Sequence, residues 1–151
     1  MEQGRAPMLS DFAGDWLLER AIDDALTGER LHASGHAVFA PDAHGLVYDE
    51  TVEMVLASGR RLRGTRRYLW RADPGGGIAV VFEDGRLFHR IAPDRVRCED
   101  RHDCTPDVYE GAYDFTDWPQ FQLRWRVTGP RKGYAMHTAY RRPGVSPPAS
   151  P

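Results

Sequence analysis

Polar side chains that could hold a ligand recur at alternate positions of this sequence, on faces that are otherwise apolar. Because alternate residues of a β-strand point to the same side, this pattern predicts polar groups inside the protein. A buried charge without a partner costs several kcal/mol, so Arg20 and Arg66 each need an acid, a ligand or water, and Glu50 is the candidate acid. The predicted ligand-binding residues are Arg20, Glu50, Arg66, Tyr68, His89, His102 and Tyr109.

Two interpretations of this polar set remain open. The first is a satisfied pair of Arg20 and Glu50 inside a protein whose interior is filled by side chains. The second is an electropositive cavity that binds a small polar or anionic molecule. The second interpretation gives our leading hypothesis, a non-enzymatic protein that binds a small molecule.

Catalysis in the same interior is the alternative function, with His102, Cys104 and Tyr109 as the candidate residues. A thiolate beside an imidazole is activated, so Cys104 with His102 or His89 as its base would be a nucleophile. His89 and His102 are predicted on neighbouring strands, where they would face each other across a ladder. His102 and Cys104 are two residues apart on one strand, and this spacing does not ensure a hydrogen bond between them. The sequence instead favours Cys98 and Cys104 as two buried thiols that pack as small hydrophobic groups.

Neither a metal nor a cofactor is expected. A zinc site needs three or four ligands, and the spacing from Cys98 to Cys104 matches no recognised metal motif. The glycine-rich stretch 73–77 lacks the strand, the helix and the Lys-Ser/Thr ending of a phosphate-binding loop. We therefore predict a hairpin there.

The overall charge excludes the strongly basic classes of protein. The 151 residues include 20 Lys and Arg against 22 Asp and Glu, a net charge of -2, so no global field favours nucleic acid or an anionic membrane. The amino terminus does not resemble a secretory signal and no window approaches a membrane span, which predicts a cytoplasmic protein with reduced thiols. We expect the protein to be a monomer or homodimer.

Alternation with a period of two, interrupted by turn residues, predicts an all-β domain of ten short strands. Strand-to-strand connections without a crossover helix favour an up-and-down antiparallel β-barrel of eight to ten strands, with a two-sheet sandwich as the alternative. Leu87, His89 and Ile91 are expected to share one face. The predicted strands are 15–22, 30–40, 46–56, 61–71, 78–83, 87–91, 96–104, 108–115, 121–128 and 134–141.

One short helical turn is predicted at 9–13, before the first strand. The length of the chain fits one domain. We assign 1–8 to an N-terminal tail, 9–142 to the single barrel domain, and 143–151 to a disordered tail rich in Pro and Ser.

Gly14 and Trp16 at the start of the first strand, with Arg141 or Arg142 at the end of the last, resemble the lipocalin and wider calycin superfamily. The resemblance implies that a short turn closes one end of the barrel, that the Trp packs inside it, and that a basic side chain lies over the Trp. Haem-binding barrels of similar size carry Gly-x-Trp-x-Gly-x-Gly, whereas Leu18 and Arg20 stand at the later glycine positions here, which argues against haem.

More of the chain, from Leu9 to Arg142, resembles a bacterial family of uncharacterised calycin-like proteins. This resemblance implies a fold but no established activity. The residues that match its motifs are Trp16 and Arg20, Tyr68 and Trp70, Gly85 to His89, His102 to Tyr109, and Gly129 to Tyr134.

Overall fold

A computed structural model describes residues 6–144 as ten strands preceded by one 3₁₀ turn. The turn spans Leu9–Phe12, and its Asp11 carboxylate accepts a hydrogen bond from the Met8 backbone N–H at 2.8 Å. The predicted strand bounds agree with the observed ones within two residues. The strands are β1 (Gly14–Asp24), β2 (Arg30–Asp42), β3 (Gly45–Val55), β4 (Arg61–Ala72), β5 (Ile78–Val81), β6 (Leu87–Ile91), β7 (Arg97–Cys104), β8 (Asp107–Asp114), β9 (Phe121–Thr128) and β10 (Gly133–Arg141).

These strands form one continuous antiparallel sheet that curls back on itself. Consecutive strands pair from β1 to β6 and from β7 to β10, and β1 also pairs with β10, which leaves β6 and β7 as the two edges. The edges meet through side chains, since the Arg90 backbone N–H donates to the Asp100 carboxylate at 2.6 Å. The predicted all-β, up-and-down barrel is therefore confirmed, as ten strands in a nearly closed arrangement.

Aromatic residues fill one end of the barrel, which we call the floor. Phe12 is fully buried there and packs edge-on against Phe121 at 5.5 Å and Phe115 at 5.8 Å between ring centroids. Trp16 is also fully buried, and its indole N–H donates to the Phe12 carbonyl at 2.8 Å. The floor cluster comprises Phe12, Trp16, Phe39, Phe115 and Phe121.

The opposite end, the mouth, is less complete because β5 is short. β5 pairs with only the last four residues of β4, Leu69–Ala72. Within residues 6–144, the edge of β4 from Arg61 to Tyr68 therefore has no strand partner on that side. Residues 61–67 are exposed, and Leu62, which the alternation predicts to be internal, is 40% exposed.

A β-bulge breaks the predicted alternation in β6. Val80 pairs with His89 but Val81 pairs with Leu87, so Phe88 is the extra residue between two paired positions. Phe88 and His89 are consequently both buried, while Leu87 lies at the surface. The prediction that Leu87 shares a face with His89 is wrong.

The predicted tails fall mainly on parts of the chain that the structure does not describe. Residues 1–5 and 145–151 lie outside the described residues. Within 6–144, no helix is long and apolar enough to cross a membrane.

Candidate functional site

A cavity of about 50 Å³ lies inside the barrel between the floor and the mouth. One water molecule needs roughly 10–15 Å³ on this scale, so the cavity has room for a few non-hydrogen atoms. Six of the seven predicted site residues line it, while His102 does not. The six are Arg20, Glu50, Arg66, Tyr68, His89 and Tyr109.

Arg20 and Glu50 meet on one wall of the cavity through two hydrogen bonds, each of 2.8 Å. They stand on β1 and β3, and the strand between them contributes the small residues Ala33 and Ala37, which are their cross-strand neighbours. Because those methyl groups fill little space, the two long side chains reach each other across β2. The expected pairing of Arg20 with Glu50 is therefore confirmed.

This pair belongs to a hydrogen-bonded network in which each member is buried. Arg20 also donates to the Thr138 hydroxyl at 2.8 Å, and the Tyr48 hydroxyl donates to Glu50 at 2.6 Å. The hydroxyl groups of Tyr48 and Tyr140 lie 2.8 Å apart. The network satisfies the charges that burial would otherwise leave unpaired.

Both members of the pair are ionised. Burial alone would lower the pKa of Arg20, but its hydrogen bond to Glu50 and the negative charge there outweigh burial and raise it. Burial would raise the pKa of Glu50, yet the hydrogen bond and charge of Arg20 lower it below its ordinary value. Burial also raises the pKa of Tyr140 to about 12, so its hydroxyl stays protonated beside Glu50.

Arg66 adds a second positive charge at the mouth. Its Nε lies 4.0 Å from Glu50, and its side chain is 48% exposed. Glu50 already accepts hydrogen bonds from Arg20 and Tyr48, so it cannot fully neutralise Arg66 as well. Two guanidinium groups against one carboxylate leave a net charge of +1 beside the cavity, which favours an anion.

Hydroxyl groups and an ion pair surround the mouth near Arg66. Lys132 lies 3.3 Å from the Tyr109 hydroxyl and 3.3 Å from the Asp107 carboxylate, and these contacts raise the pKa of Lys132. Burial, together with Tyr109, raises the pKa of Tyr134, which also lines the cavity. Lys132 is balanced by Asp107, so the uncompensated charge stays with Arg66.

His89 is a neutral imidazole in the cavity wall. It is 4% exposed, and burial, with a smaller contribution from His102 that Asp100 opposes, lowers its pKa to about 3. Its Nε2 lies 2.9 Å from the Tyr113 hydroxyl. His89 therefore contributes hydrogen-bonding groups to the cavity without adding a charge.

Phe88 is a cavity residue that the alternation of the sequence does not predict. Its ring stacks on Trp125 at 4.9 Å and packs against Tyr68 at 5.4 Å. Trp125 in turn lies over Gly111, where a Cβ would come within 2.6 Å of the indole ring. These rings form the apolar side of the cavity, and no alternation rule reveals Phe88 because the bulge places it there.

The residues of the catalytic alternative do not assemble as predicted. Cys104 is exposed because it is the last residue of β7, at the open mouth. Its assignment as a buried thiol is therefore wrong. Cys98 is buried, which raises the pKa of its thiol, and its Sγ lies 3.4 Å from the Arg95 carbonyl. His102 pairs with Tyr109 on β8, whereas His89 pairs with Val80 on β5, so the two histidines do not face each other across a ladder.

No group of three or more His, Cys, Asp or Glu side chains among residues 6–144 is placed to hold a metal ion. The polar side chains that line the cavity come from arginine, glutamate, tyrosine, histidine, threonine and tryptophan residues, and they suit hydrogen bonding to a small polar molecule.

The fold and the cavity define a class of all-β, nearly closed barrels with a small, partly charged interior. Within that class, the chain belongs to DUF6314, a family of unknown function whose match covers residues 12–142. No curated protein matches the chain.

Proposed function

We propose that the protein binds a small polar or anionic molecule in the cavity of its barrel. The observation that carries the proposal is Arg66, whose guanidinium stands at the cavity mouth half exposed while Glu50 is occupied by Arg20. An arginine in this position offers charge-assisted hydrogen bonds to an oxyanion. The size of the cavity restricts the enclosed part of the ligand to a few non-hydrogen atoms.

Calorimetric titration with acetate, propionate, pentanoate and phosphate tests this proposal. The wild type should bind at least one of these anions, and Arg66→Gln should weaken that binding by about tenfold, since a hydrogen bond to a charged group contributes roughly 1.5–3 kcal/mol. Arg63→Gln is the matched control because Arg63 lies exposed on the same strand and does not line the cavity. Equal affinity in the two variants, or no binding to the wild type at millimolar concentrations, would exclude the proposed site.

The catalytic alternative has less support. Cys104 is exposed, and neither Cys104 nor His102 lines the cavity. A role for Tyr109 alone would still require a substrate in the same cavity, so a binding assay is the first test for both functions.

We also propose that the barrel is related to the calycins. Arg142 supports this relationship, because its guanidinium lies 3.9 Å from the centre of the Trp16 ring and donates to the carbonyls of Asp11 and Asp15. Arg142, rather than Arg141, thus occupies the position that the resemblance implies for the basic residue.

Residues 9–142 are proposed to act as one domain in the cytoplasm, as a monomer or homodimer, without a nucleic acid or membrane partner. The interleaving of charges supports this proposal, because Arg67 pairs with Asp49 at 2.7 Å and Arg61 with Glu53 at 2.6 Å. Arginines paired in this way offer less free positive charge to phosphates. Light scattering measures the oligomeric state directly.

A further inference from the structure

Two buried nitrogen atoms in the cavity wall have no hydrogen-bond partner among residues 6–144. They are Nε1 of Trp70 and Nδ1 of His89, on side chains that are each 4% exposed. Both residues line the same cavity. Native proteins rarely leave buried polar groups unpaired, so atoms of this kind indicate a missing partner.

Strand pairing places the two nitrogen-bearing side chains on one wall. Trp70 of β4 pairs with Val80 of β5, and Val80 pairs with His89 of β6, so all three lie in register across three neighbouring strands. Tyr113 stands against both rings, at 6.3 Å from Trp70 and 5.6 Å from His89 between centroids. A group bound between Trp70 and His89 would therefore be enclosed by protein.

Both nitrogens act as donors. The indole of Trp70 can only donate. For His89, the tautomer decides which atom donates in the 2.9 Å contact between Nε2 and the Tyr113 hydroxyl. We assign the hydroxyl as the donor, because it has no other partner among the described residues and donation pairs its polar hydrogen. A neutral imidazole that accepts at Nε2 carries its proton at Nδ1, which makes Nδ1 the second unpaired donor.

We infer that Trp70 and His89 form a second subsite, deeper than Arg66, that binds an uncharged acceptor oxygen of the ligand. This inference rests on the proposed function, because Arg66 supplies the site for the negative charge. The ligand class is then a short oxo-carboxylate or hydroxy-carboxylate, with its charged end toward the mouth and its carbonyl or hydroxyl oxygen toward Trp70 and His89. Apolar contacts from Phe88 and Trp125 suit the short carbon chain between those two ends.

Arg66 and Trp70 are four residues apart on β4, with Tyr68 between them on the same face. At about 3.3 Å per residue their Cα atoms are separated by about 13 Å, so a ligand that lies along β4 over Tyr68 would have Arg66 near one end and Trp70 near the other. A carboxylate with its second oxygen a few carbons away fits this arrangement better than an inorganic anion.

Two matched pairs of probes test the inference on the wild-type protein: propionate with pyruvate, and pentanoate with 4-oxopentanoate. Each pair compares a carboxylate with an oxo acid, and calorimetry gives both dissociation constants. We expect at least one oxo acid to bind about tenfold or more tightly than its partner, since a site built for a hydrogen bond discriminates against ligands that lack it.

Variants assign that preference to its residues. Trp70→Phe removes the indole nitrogen and His89→Phe removes both imidazole nitrogens, while each variant keeps an aromatic ring. Each should reduce the preference for the oxo acid to within about twofold. Arg66→Gln should weaken both members of a pair equally and leave their ratio unchanged. Near-ultraviolet circular dichroism checks that each variant is folded.

The wild-type comparison decides the question even if both aromatic variants fail to fold. Equal affinity within both pairs would overturn the second subsite and would indicate that only water binds the two nitrogens. The proposed anion site would remain in place. Absence of binding by all four carboxylates and by phosphate would overturn the proposed function and the subsite together.

Discussion

The floor and the cavity of the barrel are built from the same alternating strands, but they differ in how completely their buried side chains are packed and hydrogen-bonded. At the floor, Phe12 contacts six other aromatic rings with centroid distances of 4.9–6.4 Å, and Trp16 completes its hydrogen bonding within the cluster. At the cavity, Arg66 is half exposed and the nitrogens of Trp70 and His89 lack partners within 6–144.

This difference separates residues that hold the fold from residues that are available to a ligand. The Arg20 and Glu50 network lies between the two regions and shares a property with each. It is buried and satisfied like the floor, but it is charged and borders the cavity like Arg66. Stability measurements on each region therefore test whether the division is real.

The floor should show the largest loss of stability. Phe12→Ala removes the ring at the centre of the cluster, and a buried Phe replaced by Ala costs about 3–5 kcal/mol. Urea denaturation measures this change, and Leu26→Ala is the control because Leu26 is 62% exposed. If Phe12→Ala costs no more than Leu26→Ala, the floor does not anchor the barrel.

The buried network should come second. Glu50→Gln leaves Arg20 charged and buried without its carboxylate, which costs about 3 kcal/mol by comparison with other broken buried pairs. Glu53→Gln is the control, since Glu53 sits on the same strand in an ion pair with Arg61 that is largely exposed to solvent. Urea denaturation of both variants separates the two cases, and similar midpoints would contradict the assigned role of the network.

His89 should make stability depend on pH. Its pKa of about 3 in the folded protein lies below the ordinary value of 6.5, so between these values the unfolded chain binds the proton and folding is disfavoured as the pH falls. Lowering the pH from 6.5 to 4.5 should cost about 2–3 kcal/mol from this group, at 1.36 kcal/mol per unit.

His89→Gln should remove this part of the pH dependence, and His36→Gln, on the exposed face of β2, should retain it. Denaturation midpoints of the wild type and both variants at the two pH values provide the measurement. Glu50 has a lowered pKa, so its stabilising contribution is also lost as the pH falls, but both variants keep Glu50 and the difference between them isolates His89.

The floor and the strand order were predictable because they follow from local pattern. In β9, residues alternate between buried and less buried positions along the whole strand, as the sequence indicates. Short turns between strands then leave few alternatives to an up-and-down barrel. The pairing of Arg20 with Glu50 was predictable for the same reason, since charged residues on inward faces require partners.

The cavity was less predictable because it depends on irregularities. A single bulge beside Val80 brings Phe88 inward and moves Leu87 to the surface. The short β5 leaves the upper part of β4 exposed, so Arg66 stands in solvent as well as against the cavity. Cys104 is exposed because of its place at the end of β7, and alternation alone does not distinguish the end of a strand from its middle.

Arg66→Gln should have the smallest effect on the free energy of unfolding. Its guanidinium lies 4.0 Å from Glu50 and is 48% exposed, and ion pairs accessible to solvent contribute about 0–1 kcal/mol. Urea denaturation should therefore give a midpoint close to that of Arg63→Gln, even though anion binding is weakened only in Arg66→Gln. A loss comparable with that of Glu50→Gln would instead place Arg66 in the structural network. A residue that matters for binding but not for folding is what separates the cavity from the floor.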